Sequence, residues 1–232
     1  MSIVQQVGFD GGTSNTAVVG ITSSTAGNTI IVVAASDPPT GVPTDNLSTS
    51  WPAATINNMV NSNLTIWLLQ NCPSGITAIT VHVNSGSQGW VIEENGLLAS
   101  SLDKFTSQSS SGTSVTSGNT STLSQANEVC YGFGGHDSTE QFSASGSWSA
   151  AAFTNYGGSG GGGYTPGNQG NTLLGNNTFI MRQVVTSTAA LAATAALSPS
   201  STVDMAIITL MQGSAAPGVP YMNYGFQPMM AS

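Results

Sequence analysis

Residues 30–35 read IIVVAA, six consecutive apolar positions. Successive side chains of a β-strand point to opposite faces, so a strand built from this run needs apolar neighbours on both sides. It belongs between two layers, not on a surface. Residues 64–69 (LTIWLL) make the same demand. In residues 77–83 the signal alternates, with Ile79, Val81 and Val83 on one face and Thr80 and His82 on the other. Further runs that read as strands are 16–22 (TAVVGIT), 89–94 (GWVIEE), 128–133 (EVCYGF), 179–186 (FIMRQVVT) and 203–211 (VDMAIITLM). Gly, Ser and Asn clusters punctuate them about every dozen residues. The pattern predicts an all-β chain, an antiparallel β-sandwich or jelly roll. One segment, 188–197 (TAALAATAAL), has the alanine content of a helix. It lies between two strong strand signals and lacks a charged face, so extended hairpin structure is expected there.

The predicted sandwich domain spans residues 1–211. Residues 36–50 hold Pro38, Pro39 and Pro43 and read as a loop. Residues 107–121 are almost pure Ser, Thr and Gly, a solvated strand edge or a long loop. Residues 155–171 read as a Gly-rich loop insertion, with Gly157, Gly158 and Gly160 to Gly163 close together. Residues 212–232 read as an extended C-terminal docking tail. Its Tyr221, Met222, Tyr224, Phe226, Met229 and Met230 are costly to leave in water, so it is expected to dock on its own domain or a partner subunit.

Charge narrows the setting. Lys104 and Arg182 are the only Lys or Arg, against ten carboxylates, for a net charge of −8. Charged residues make up 5% of the chain, against about 25% in ordinary globular proteins. Nucleic acid and anionic membranes attract clusters of Lys and Arg, so neither is expected as a partner. A hydrophobic content of 39% with so little charge favours a buried core over disorder. No apolar run approaches the roughly 18 residues of a membrane span. The N-terminal MSIVQQVGFDGG has neither the basic nor the apolar region of a signal peptide, yet 33 Ser, 27 Thr and 28 Gly suit the outside of a cell. Assembly into a virus particle released by lysis reconciles the two. Cys72 and Cys130 are not in a metal-ligand spacing; one disulfide and two buried thiols both fit.

Catalytic patterns are hard to find. Glu93 and Glu94 are strand neighbours on opposite faces, so they are not the facing carboxylates of a glycosidase. Glu93 shares the Val91 face, and Glu94 the face of Trp90 and Ile92. An inward Glu needs a partner, and a structural ion pair between Glu93 and Arg182 is expected. His82 and His136 have no spaced companion. The loop carboxylates Asp10, Asp37, Asp45 and Asp137 form no calcium-loop run, and the glycine run lacks the Lys of a phosphate loop. Neither a metal nor a cofactor is expected, and the chain reads as a non-enzyme. Trp51, Trp148, Tyr156 and Tyr164 lie near loops and are candidates for stacking on sugar rings or touching a partner. Trp67 and Trp90 lie in apolar strands and read as core.

Several stretches in order carry a resemblance. They are 26–35 (AGNTIIVVAA), 79–83 (ITVHV), 90–96 (WVIEENG), 101–105 (SLDKF), 126–132 (ANEVCYG), 183–186 (QVVT) and 203–210 (VDMAIITL). This order resembles a β-sandwich domain of phage minor tail and other virion proteins, also seen in some bacterial surface proteins. Glu93 takes the Glu position of that family's E-Y-S-G-L strand, with Glu94 in place of its Tyr. Asn127 and Glu128 match its A-N-E-L-V-x-G strand. The resemblance covers roughly residues 15–211 and departs at the Gly-rich insertion and the tail. It implies a concanavalin-like sandwich with a structural or adhesive role and transfers no catalytic residue. The expected function is a non-catalytic virion component, of a minor tail or capsid decoration, contacting itself as a homo-oligomer and other virion proteins. A host-surface glycan adhesin and a bacterial extracellular filament or surface protein are the alternatives.

Overall fold

In the computed structural model, residues 1–11, 14–35, 38–57, 59–84, 87–136, 141–150 and 177–213 are described. Among them the regular structure is all β, with no helix and every strand pairing antiparallel. The run that opened the sequence reading becomes β3 (Thr29–Ala35), buried at all seven positions. It sits inside a four-stranded sheet with β1 (Ile3–Asp10), β7 (Gln88–Glu94) and β5 (Thr65–Leu69), in the order β1-β7-β3-β5. A three-stranded sheet has the order β2-β6-β4, from β2 (Ala17–Gly20), β4 (Thr44–Asp45) and β6 (Ala78–Val81). The third sheet joins β8 (Leu97–Thr116), β9 (Glu128–His136), β10 (Gln141–Ala144), β11 (Ser149–Ala150), β12 (Asn177–Val185) and β13 (Thr194–Gln212). Its path is β10-β13-β9-β12-β11, with β8 on the other edge of β13.

The two-residue period of the strands sorts side chains into distinct cores. Ile31 and Val33 of β3 and Ile66 and Leu68 of β5 join Tyr131 and Phe133 of β9 and Ala206, Ile208 and Leu210 of β13 in one cluster. This first core binds the four-stranded sheet to the third sheet. The intervening residues Ile30, Val32, Trp67 and Leu69 join Val19 of β2 and Ile79 and Val81 of β6 in a second. The four-stranded sheet is therefore covered on both faces, as its doubly apolar strands require. Gly89 lets β7 lie against β3, since a Cβ there would overlap the Val33 carbonyl oxygen and the Phe9 ring.

A third core lies on the opposite face of β9, β12 and β13. The β8–β13 ribbon builds it by folding over itself. Its register breaks between Ala196 and Ser201, opposite Gly112 at φ +120°, a conformation that favours glycine. Beyond that bend Val115, Ala195 and Leu197 pack onto Cys130, Met181, Val203, Met205 and Ile207. Gln108 and Ser110, before the bend, hydrogen-bond the backbone of Thr116 after it, at 3.2 and 3.1 Å.

The expected strands at 16–22, 29–35, 64–69, 77–83, 89–94, 128–133, 179–186 and 203–211 all hold strand residues. Most of the Ser/Thr stretch 107–121 is strand edge, since β8 runs to Thr116. Residues 194–197 are extended within β13, as preferred over a helix. Strand β1 and the full length of β8 were not foreseen. The Gly-rich loop at 155–171 and the tail beyond Gly213 lie outside the described residues.

Candidate functional site

The most concentrated charge in the interior sits where β7 ends. Glu94 points into the first core with no exposed surface. Arg182 of β12 reaches it with two bonds, Nη2 to Oε1 at 2.8 Å and Nε to Oε2 at 3.2 Å. The Tyr131 hydroxyl of β9 donates to Oε2 at 2.5 Å. Arg182 and Tyr131 are register partners across β9 and β12, and the guanidinium carbon lies 6.0 Å from the Tyr131 ring centroid. Tyr131 also stacks on Phe133, with ring centroids 6.1 Å apart. Burial pushes the Tyr131 hydroxyl well above its usual range, and the Glu94 charge adds to the rise. Burial works against the Arg182 charge, but the bond and charge of Glu94 outweigh it and raise the guanidinium further. Both Glu94 oxygens are thus committed to donors from the opposite sheet. The arrangement is a clasp across the core that joins the four-stranded sheet to the third sheet.

The expected pairing of Arg182 with Glu93 is corrected here: the clasp forms through the next carboxylate. Glu94 shares the face of Trp90 and Ile92, and this is the face that meets β9 and β12. Glu93, on the other face, ties the β2–β3 connection to the sheet. It accepts from Gln5 Nε2 at 2.5 Å, Asn28 Nδ2 at 2.6 Å and the Thr25 amide at 2.9 Å.

Two further polar centres were missed from sequence. Asp204, buried in β13, gathers the 61–62 turn through the amides of Asn61 and Ser62 at 2.9 and 2.6 Å, Ser62 Oγ at 2.9 Å and Asn61 Nδ2 at 3.1 Å. Ser109 Oγ of β8 adds a bond at 2.8 Å. Asp103 accepts from Lys104 Nζ at 2.7 Å, the Ser124 amide at 2.7 Å and Ser124 Oγ at 2.5 Å. Burial opposes its charge, but these bonds prevail and bring the carboxyl down to about 2. Beside it Glu128 is buried, and among the described residues neither carboxyl oxygen makes a hydrogen bond of good geometry, though Thr209 and Asp103 lie close. Burial pushes Glu128 up, and the neighbouring Asp103 charge reinforces this. An Asp inside an apolar run, as in VDMAII, is the one local signal that could have flagged Asp204. Tyr131 looked like any core aromatic.

The tryptophans offered for sugar stacking are also corrected. Trp51 and Trp148 are each 7% exposed. Trp51 packs in the second core and donates to Asp45 Oδ2 at 2.8 Å; Trp148 packs in the third and donates to the Ala192 carbonyl at 2.9 Å. Their faces serve the cores, and their N–H groups fasten loops. Trp67 is core, as read, and Trp90 is partly buried against the first core. Tyr156, Tyr164 and the tail residues Tyr221, Met222, Tyr224, Phe226, Met229 and Met230 lie outside the described residues.

Asp45 is a loop organiser, bonded also by the amides of Leu47 and Thr49 at 2.8 and 3.1 Å. Burial opposes its charge, and the bonds outweigh that and hold it below the usual range. Among the described residues no group of three or more His, Cys, Asp or Glu is placed to hold a metal. His82 Nε2 lies 3.3 Å from Thr44 Oγ1, an ordinary surface contact. Cys72 and Cys130 are free thiols buried in different cores. Burial pushes them up to about 11 and about 12, well away from a reactive thiolate. The chain matches no family model, no curated protein and no solved structure.

Proposed function

We propose that the chain is a non-catalytic structural component of a bacteriophage particle, a minor tail or capsid decoration protein on a jelly-roll type β-sandwich. It acts through contacts with copies of itself and with other virion proteins. The observation that carries this reading is how the interior uses its few ionisable groups. Among the described residues Glu93, Glu94, Asp204 and Arg182, though not the buried Glu128, tie sheets or turns together, and both carboxylate oxygens of Glu93, Glu94 and Asp204 are engaged. A group that must bind substrate or shuttle a proton needs a free position, and these offer none. A chain with so little surface charge also meets a small desolvation cost where subunits pack densely. The burial of Trp51 and Trp148 weighs against glycan binding through those two side chains.

Quantitative peptide mass spectrometry on gradient-purified particles of the encoding phage tests the proposal. The chain should appear in the particle band at a fixed copy number relative to the major capsid protein. Its confinement to the soluble lysate would overturn the reading.

A further inference from the structure

We infer that the free edge of β8 binds a second copy of this chain, the two β8 strands pairing antiparallel about a two-fold axis at Ser107. Among the described residues β13 is the only partner of β8. The Lys104 amide donates to Thr209 Oγ1 at 3.1 Å and its carbonyl accepts from the same hydroxyl at 3.4 Å, so both groups of Lys104 face β13. The ladder runs without a register shift from Lys104 opposite Thr209 to Gly112 opposite Ser201. Backbone groups alternate in direction along an antiparallel strand, so those of Phe105, Ser107 and Ser109 face outward. Among the described residues no second strand pairs with this row of donors and acceptors.

Natural edges are usually protected by charge, proline or a bulge. Residues 105–116 contain no Lys, Arg, Asp, Glu or Pro. They carry instead one large apolar side chain open to water, Phe105 at 52% exposure.

Self-complementarity of the edge points to a second copy as the occupant, and the charge distribution leaves this edge as the place where two copies can meet. Each chain carries a net charge of −8, so two copies repel over most of their surfaces. This neutral edge lets them meet without opposed carboxylates. The straight run ends at the Gly112 bend, and an outward-facing residue must sit on the axis for a hydrogen-bonded central pair. Ser107 satisfies both conditions. Phe105 of each copy then lies opposite Ser109 of the other, and Asp103 opposite Ser111, which keeps the two Asp103 carboxylates far apart. The same edge supplies both halves of the interface, as an isologous contact requires. The inference does not depend on where the protein works.

Light scattering after size exclusion, and sedimentation equilibrium, of the full chain over about 1–100 µM test it. A short strand edge predicts a weak dimer that dissociates within this concentration range. Ser107→Pro removes an outward N–H and leaves the β13 ladder intact, a position where an edge strand accepts proline. Phe105→Glu places an added charge on each half of the interface. Both variants should keep the wild-type circular dichroism and weaken the dimer at least tenfold. If Ser107→Pro fails to fold, Phe105→Glu decides. A wild-type chain that stays monomeric throughout, or self-association that folded variants leave unchanged, would overturn the inference.

Discussion

Strands β3 and β8 belong to one chain and answer to opposite constraints. β3 is buried at all seven positions and feeds two cores, with Ile31 and Val33 on one side and Ile30 and Val32 on the other. β8 is 20 residues long, rich in Ser and Thr, and buried at only a few positions. The first is held by what its own side chains exclude from water. The second is held by its partner: β13 supplies the apolar faces, and β8 supplies mainly backbone. Interior stability and external adhesiveness are therefore assigned to different strands, and a change in one should leave the other almost untouched.

The largest expected effect comes from the clasp beneath the central sheet. Arg182→Met leaves Glu94 buried without its cation and should cost about 4 kcal/mol in urea unfolding. Adding Glu94→Gln to Arg182→Met should recover part of that loss. A double variant as unstable as the sum of the two singles would show that the clasp is not a coupled unit. Next comes the direct contrast between the strands. Ile31→Ala should cost about 3 kcal/mol through lost burial and a cavity, whereas Phe105→Ser should change monomer stability by less than about 0.5 kcal/mol. Comparable costs at the two sites would erase the distinction.

The smallest effect is pH-dependent and lies where Asp103 of β8 and Glu128 of β9 approach each other across β13. Burial opposes the Asp103 charge, but its bonds hold it at about 2, below the ordinary 3.8. The folded state binds fewer protons there, so its stabilising contribution is present above about pH 4 and fades as pH falls through about 2. Glu128 works in the opposite sense. Its raised carboxyl favours the folded state below the usual Glu range, an advantage lost as pH rises through the folded-state value. Urea midpoints at about pH 2.5, 5 and 8 should show Asp103→Asn removing an acid-side loss and Glu128→Gln removing an alkaline-side loss.

The same contrast explains what the sequence disclosed. Strands β3 and β5 were legible because a doubly buried strand leaves an unbroken apolar run, and β6 because one buried face leaves an alternation. β8 has no such imprint, since most of its side chains meet water and its register is set by β13 and the bend at Gly112. The ion pair was half legible. Glu93 and Glu94 were placed on their correct faces, but which face would meet Arg182 depends on how sheets stack, and strand period carries no record of that. Trp51 and Trp148 sit beside loops in the sequence and looked exposed; the loops close over the sheets and take the indoles inward. Asp204 contacts a turn 142 positions away through Ser62, a pairing that only the folded topology creates.

Amide hydrogen exchange on the full chain, dilute and at about 100 µM, tests most directly whether the interior holds itself while the edge is left for assembly. The account predicts that β3 and β5 amides exchange slowly at both concentrations. The outward amides of β8, around Phe105 to Ser109, should exchange fast when dilute and gain protection as the concentration rises. Protection of β8 that ignores concentration, or exchange in β3 and β5 as rapid as in β8, would contradict it.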